Sequence, residues 1–289
     1  MKNKRLLWLL CGVLLAAALA AGISARRGRT VVTTVHYELE TDLTEPIRIV
    51  QLTDLHGRVF GEDNDVLIRM VTDEQPDLIL MTGDMVDRYD KNADAACDLI
   101  RALAQIAPVY YGYGNHEYGW MNARGESLTP ALEAAGATVL DVAYLDLEIK
   151  GQPIRLGGYH NYYRQPHMYP LTEEEKRKQL DFCEDFESTD RCKILMSHIP
   201  TAWLDWGYID KFPVDLVLSG HYHGGQIRLP GIGGLYAPYI GLFPEYTAGM
   251  FEGEKAACIL STGLGASPGL PRINNLPQIV TVDLIPQQN

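Results

Sequence analysis

Five short apolar runs, each closed by an aspartate, an asparagine or a histidine, set the frame of this chain. Residues 47–52 lead into Asp54-Leu55-His56, residues 78–82 into Gly83-Asp84, and residues 109–113 into Gly114-Asn115-His116-Glu117. Residues 194–196 lead into Ser197-His198, and residues 216–219 into Gly220-His221-Tyr222-His223. Runs this short and this apolar read as buried strands. In open α/β sheets, functional groups gather at the carboxyl ends of the strands. The closing side chains are therefore expected along one sheet edge.

Spacing and flanks strengthen that expectation. Asp54 and His56 are two residues apart, as are His221 and His223, so on an extended chain each pair projects from one face. Gly220, Gly224 and Gly225 let backbone approach closely around the second pair. Asp84 on its Gly-Asp turn offers a carboxylate able to bridge two cations, and Asn115 offers a neutral oxygen. Oxygen and imidazole donors without thiolate suit Mn²⁺, Fe or Zn²⁺ rather than Cu⁺ or Ca²⁺. A lone Asp-x-His or Gly-Asp turn is most often structural. The ordered set, which takes five of the eight histidines, is not explained by packing. Asp87 reads as a partner that supports the ligand side chains or as a helix cap, the cap favoured. Arg58 is a candidate phosphate contact.

The chain has 289 residues and a formal charge of −12. That balance argues against a nucleic-acid partner, which is held by counterion release to basic side chains. It still allows a phosphate ester, because bound divalent cations reverse the potential locally. Of the five cysteines, Cys97, Cys183, Cys192 and Cys258 show no C-x-x-C spacing, so a thiolate zinc site is not expected. Cys183 and Cys192 are candidates for one disulfide in an oxidising compartment; buried free thiols are the favoured reading.

The N-terminus places Lys2, Lys4 and Arg5 before an uncharged stretch over 6–25, then Arg26, Arg27 and Arg29. An apolar stretch of that length nearly spans a bilayer. The early charges suit a signal peptide or a signal anchor. An uncleaved anchor is favoured, although Ala18-Leu19-Ala20 offers a cleavage site. Residues 1–29 are thus read as a transmembrane anchor, 30–46 as a linker with an edge strand, and 47–289 as one α/β domain. The expected location is the cell membrane, single-pass, with that domain extracytoplasmic.

Helices are expected over 63–74, 92–107, 128–135, 172–186 (with Thr172 and Glu175 at capping-box spacing) and 202–211. Strands are expected over 31–39, 138–140, 145–149, 154–156, 256–261 and 278–284. Residues 225–250, rich in Gly, Pro and Tyr, read as a long functional loop. Tyr-rich segments at 159–169 and 236–246 are candidates for the wall of a substrate groove or for ordinary loop cores, the latter slightly favoured.

The blocks Asp54-Leu55-His56, Gly83-Asp84-Met85-Val86-Asp87, Gly114-Asn115-His116-Glu117, Ser197-His198 and Gly220-His221-Tyr222-His223 resemble, in order, those of the calcineurin-like metallophosphoesterases. The stretch from Gly220 to Pro230 and the segment Ser261-Thr262-Gly263-Leu264-Gly265 are similar to the membrane-associated bacterial phosphodiesterase branch, which often carries a basic residue where this chain has Thr262. The resemblance implies a four-layer α/β/β/α sandwich and two divalent metal ions. It implies that Asp54, His56 and His223 bind one ion, that Asn115, His198 and His221 bind the other, and that Asp84 bridges them. His116, not needed as a ligand, is then the candidate catalytic residue, placed to protonate the leaving alkoxide or to hydrogen-bond a phosphate oxygen. The implied reaction is hydrolysis of phosphate mono- or diesters, diesters favoured, by a metal-bridging hydroxide. Two rivals are a lipid-linked pyrophosphate hydrolase of the UDP-diacylglucosamine type and a non-catalytic metal-binding scaffold at the envelope. The expected partners are a phosphate-ester substrate, lipid-linked under the first rival, and the membrane.

Overall fold

The computed structural model describes residues 2–161, 172–266 and 270–287. Two six-stranded sheets form its frame. The first runs β1 (Thr33–Thr41), β16 (Gln278–Pro286), β2 (Ile47–Leu52), β3 (Leu78–Thr82), β4 (Val109–Gly112), β5 (Ala137–Leu140). Strands β2 to β5 are parallel, and β16 pairs antiparallel to β2. The second runs β14 (Gly249–Glu252), β15 (Ala257–Leu260), β9 (Leu216–Ser219), β8 (Cys192–Met196), β7 (Gln152–Gly158), β6 (Ala143–Ile149). Its four central strands are parallel.

Parallel strands covered on both faces need continuous apolar sequence, and all five residues of β3 are buried. The period of two then divides each strand between two cores. Ile47, Ile49, Leu78 and Leu80 meet Leu156, Ile194, Leu216 and Leu218 between the sheets. Val50, Leu52, Ile79 and Met81 face outward onto α2 (Asp65–Glu74), α3 (Asp94–Leu103) and α5 (Thr129–Ala134). On the far side, Leu195 and Val217 pack under α6 (Glu173–Glu187) and α7 (Thr201–Leu204). The layers are α/β/β/α, as expected. One polar side chain bridges the sheets near the strand ends: Gln51 Nε2 donates to Ser219 O at 3.1 Å and to Thr82 Oγ1 at 2.8 Å.

Three local expectations needed revision. Helix α4 (Asn115–Arg124) was not foreseen. The helix expected over 202–211 is only α7 and a 3₁₀ turn at Tyr208–Asp210, because Gly207 sits at φ 67° between them. The loop over 225–250 contains two small hairpins, β10 (Arg228–Leu229) with β11 (Gly233–Gly234) and β12 (Tyr236–Ala237) with β13 (Gly241–Leu242). All five cysteines are free.

Helix α1 (Lys2–Thr30) is long and apolar enough over Leu10–Thr30 to cross a membrane. Its end is fixed to the domain. Asn274 N donates to Ser24 Oγ at 2.7 Å, and Gly28 lies so close to Arg272 that a Cβ there would come within 2.7 Å of the arginine Cβ.

Candidate metal centre

The carboxyl ends of both parallel sets converge on one cluster. Asp54 and His56 follow β2, Asp84 follows β3, and Asn115 and His116 open α4 after β4. His198 follows β8, and His221 and His223 follow β9. The pairs do not share a face through extended backbone. Asp54, His56, Asp84, His221 and His223 all take left-handed φ, between 47° and 71°. Non-glycine residues there carry strain of roughly 1–3 kcal/mol each, so tight turns rather than strand pleating aim these side chains inward.

Three triads result, each with its donor atoms within 4.8 Å of one another: Asp54, His56 and His223; Asp84, His198 and His221; and His56, Asp87 and His116. The first two hold expected ligands only. Asp84 stands between them, its Oδ2 3.1 Å from His198 Nε2 and 3.8 Å from His56 Nε2. Asp54 Oδ1 lies 3.7 Å from His223 Nε2 and 3.9 Å from His56 Nε2. Asn115 lines the cleft beside Asp84, His116 and His221.

Buried supports hold these groups. His198 Nδ1 lies 2.8 Å from Thr82 O; facing a carbonyl it carries a proton, which fixes the ring with Nε2 toward Asp84. Asp87 Oδ2 lies 3.3 Å from both His56 Nδ1 and His116 Nδ1, while its Oδ1 accepts from Tyr89 N at 2.9 Å. Asp87 therefore orients two imidazoles and caps no helix. Glu117 is fully buried and accepts from the backbone amides of Asp84, Met85, Val86 and Gly114 at 2.8–3.1 Å, and from Tyr111 OH at 2.7 Å. It thereby ties the Gly-Asp turn after β3 to the start of α4. Gly220 and Gly263 admit the Asp54 carboxylate: a Cβ would meet Asp54 Oδ2 at 2.2 Å and 2.7 Å respectively.

Burial dominates the electrostatics. It raises the Asp54 carboxyl above the usual carboxylate range. Asp84 is desolvated by burial as well, yet His198 and His56 hold it well below that range. Burial alone would lower His198, but the adjacent Asp84 and Asp54 carboxylates push it up to about 9. Burial drives His221 and His223 well below the ordinary imidazole value, so both are neutral.

Over this cluster lies a cleft of about 240 Å³, walled by Arg88, Tyr236, Pro238 and Tyr239 as well as the cluster itself. The Tyr239 ring stacks on His221 with centroids 5.2 Å apart. The second Tyr-rich segment thus supplies cleft wall, although Tyr246 packs on Phe251 in the core. Of the first segment, Tyr159 belongs to the core under α6. His160 is half-buried against Tyr118, and desolvation pushes it down to about 3. Tyr162, Tyr163, His167 and Tyr169 lie outside the described residues. Arg58 is not brought to the cluster: its guanidinium donates to Leu264 O at 3.4 Å and to Arg29 O. Thr262 Oγ1 donates to Leu276 O at 3.1 Å.

Sequence reasoning missed Arg88, which directly follows the Asp87 block, and the support role of Glu117. The signal for Glu117 was its place three residues after Gly114, the capping-box spacing at the start of α4.

His56 Nε2, Asn115 Oδ1 and His221 Nε2 are buried with no hydrogen-bond partner among the described residues, and His198 Nε2 faces only the Asp84 carboxylate. Three such donors around two buried carboxylates fit cations, because buried polar groups otherwise find partners.

Residues 47–225 match the family model described as calcineurin-like phosphoesterase. The metallophosphoesterase YkuE of Bacillus subtilis (strain 168) is 28% identical over 98% of this chain and 98% of its own length. The phosphodiesterase YaeI of Escherichia coli (strain K12) is 28% identical over 84% of each chain. Among solved structures, the 5'-nucleotidase precursor of Thermus thermophilus aligns over 76% of this chain and 49% of its own, at 14% identity and TM-score 0.47.

Proposed function

Because this chain belongs to the calcineurin-like phosphoesterase family and is a hydrolase of phosphoric esters, we propose that it cleaves phosphate diesters in preference to monoesters at a two-metal centre. In this reading Asp54, His56 and His223 hold one divalent cation, Asn115, His198 and His221 hold the other, and the Asp84 carboxylate serves both. The donor set suits Mn, Fe or Zn. The observation that carries the reading is the three buried, partnerless donor atoms, His56 Nε2, Asn115 Oδ1 and His221 Nε2, grouped with His198 around Asp54 and Asp84.

Bound cations would acidify water and neutralise phosphate oxygens. The remaining work belongs to this chain's own groups. Arg88 offers the cleft a guanidinium for a non-bridging oxygen. His116, its Nδ1 turned to Asp87, has Nε2 left to protonate the leaving alkoxide. Tyr236 and Tyr239 shape the cleft beside the reacting phosphate. The diester preference draws support from the name of the relative YaeI.

A second reading, a lipid-borne phosphate or pyrophosphate substrate, is favoured by one observation. The β12–β13 hairpin that walls the cleft also exposes Tyr239 (55%), Leu242 (68%) and Phe243 (56%). In both readings α1 is a single-pass anchor that holds the domain against the outer face of the cell membrane.

The test is steady-state turnover of the full chain with Mn²⁺ on a bis-aryl diester, a mono-aryl ester and phospholipid vesicles. A larger kcat/KM on the diester than on the monoester is expected. A monoester preference would contradict the diester reading. Vesicle hydrolysis abolished by Phe243→Ser, with diester turnover retained, would favour the lipid-borne substrate.

A further inference from the structure

A second pocket, of about 420 Å³, opens where α1 meets the catalytic domain. It is lined by Gly28, Arg29, Arg58, Leu270, Pro271 and Arg272, and no acidic side chain lines it among the described residues. Three guanidiniums without a carboxylate beside them make a site for an anion.

Arg272 adds an independent observation. It is 1% exposed, and its Nη1 is buried with no hydrogen-bond partner among the described residues. Its Nε donates to Gly265 O and its Nη2 to Thr262 O and Gly263 O, so the rest of the guanidinium is committed to the loop behind Asp54. Burial pushes Arg272 down to about 9 against the opposing pull of Asp54, and burial together with Arg29 lowers Arg58. A buried cation with an idle donor is costly unless an anion joins it.

The position of the pocket narrows the choice of anion. One wall is the last turn of α1, the helix long and apolar enough to cross a membrane. Leu270 and Val59 are exposed nearby, at 40% and 51%. Basic side chains just beyond an apolar span sit at headgroup depth, within reach of anionic lipid. A phosphodiester headgroup offers two unprotonated oxygens, which matches paired guanidinium recognition.

We propose that the pocket formed by Arg29, Arg58 and Arg272 seats the phosphate of an anionic membrane lipid, fastening the end of α1 to the catalytic domain. The lipid there is a ligand and not the substrate: the Thr262–Gly265 backbone, which Arg272 grips, stands between the pocket and the Asp54 carboxylate. The proposal rests on α1 being membrane-embedded and is independent of the metal chemistry.

The test uses the full chain, first reconstituted into lipid nanodiscs and then titrated in detergent. Native mass spectrometry would read binding of phosphatidylglycerol, phosphatidylcholine and inorganic phosphate. Phosphatidylglycerol is expected to bind about tenfold more tightly than phosphatidylcholine, and Arg58→Gln to remove that advantage, the size of one lost charge-assisted contact. Arg29→Gln, at an exposed position that cannot unfold the domain, is expected to act the same way. Equal phosphatidylglycerol binding in wild type and both variants would overturn the site. Arg58-dependent binding of inorganic phosphate without phosphatidylglycerol binding would overturn the lipid source. Failure of the full chain to enter nanodiscs would overturn the membrane reading and the proposal with it, leaving the metal centre untouched.

Discussion

At the residue scale, the same few side chains carry both burial and chemistry. His116 and His56 share the Asp87 carboxylate, so Asp87 orients one proposed ligand and one proposed acid. If His116 protonates the leaving group, His116→Gln lowers kcat by about 10²–10³-fold. The loss is larger for an alkyl ester than for an aryl ester, because a good leaving group needs no proton. Equal losses on both would leave His116 a positioning role only. His198 gives a pH prediction. In the metal-free protein it is held up to about 9, above its unfolded value of 6.5. Its contribution to stability is therefore complete below pH 6.5 and is lost as pH rises through about 9. A cation competes with that proton, so metal uptake at about pH 7.5 releases about one proton from this site and tightens as pH rises. Calorimetric titration of Mn²⁺ in buffers of different ionisation enthalpy reads the release; a heat independent of buffer would contradict it. The clustering of the proposed ligands was legible from sequence because they close apolar runs. Arg88 and the support role of Glu117 were not, because their value lies in what they face across the cleft and the turn rather than in any local pattern.

At the element scale, strands were the easy part. Buried parallel strands leave unbroken apolar runs, and β2, β3, β4, β8 and β9 each gave one. The edge strand expected over 31–39 is β1, at the margin of the first sheet. The helices with apolar stripes, α2, α3 and α5, were also legible, as was the Thr172–Glu175 capping box of α6, with Glu175 N donating to Thr172 Oγ1 at 3.2 Å. Helix α4 was not, since Gly119 interrupts it and only Glu117 and Trp120 are buried. It forms because Glu117 gathers backbone donors from two turns. Glu117→Gln replaces one carboxylate oxygen with a donor that faces other donors, at a cost of about 2–4 kcal/mol. The expected result is a lower thermal midpoint and weaker metal binding together, since Asp84 N and Gly114 N both lose their acceptor. A lower midpoint with unchanged metal affinity would show that α4 positions no ligand. The left-handed turns at Asp54 and His221 were invisible too: an i, i+2 pair looks the same in sequence whether a strand or a turn presents it.

At the scale of the whole molecule, two parallel sheets facing each other bring their strand ends to one edge, and that edge carries the donors. The net charge of −12 is compatible with a phosphate substrate because the acidic groups at this edge, Asp54 and Asp84, are the ones proposed to hold cations. The four-layer arrangement was legible from the alternation of strands and helices together with the family resemblance. The docking of α1 against Arg272 and Asn274 was not, because Ser24, Gly28 and Asn274 carry no pattern until the fold brings them together. The central claim is the two-cation centre that Asp84 serves on both sides. The measurement that bears on it most directly is metal content per chain in the full protein, taken together with turnover of a bis-aryl phosphate, in wild type and Asp84→Asn. Two ions per chain are expected in wild type, with occupancy reduced and turnover lowered by at least about a hundredfold in the variant. A wild type that holds no metal after reconstitution, or an Asp84→Asn variant that keeps both its ions and its turnover, would contradict the account.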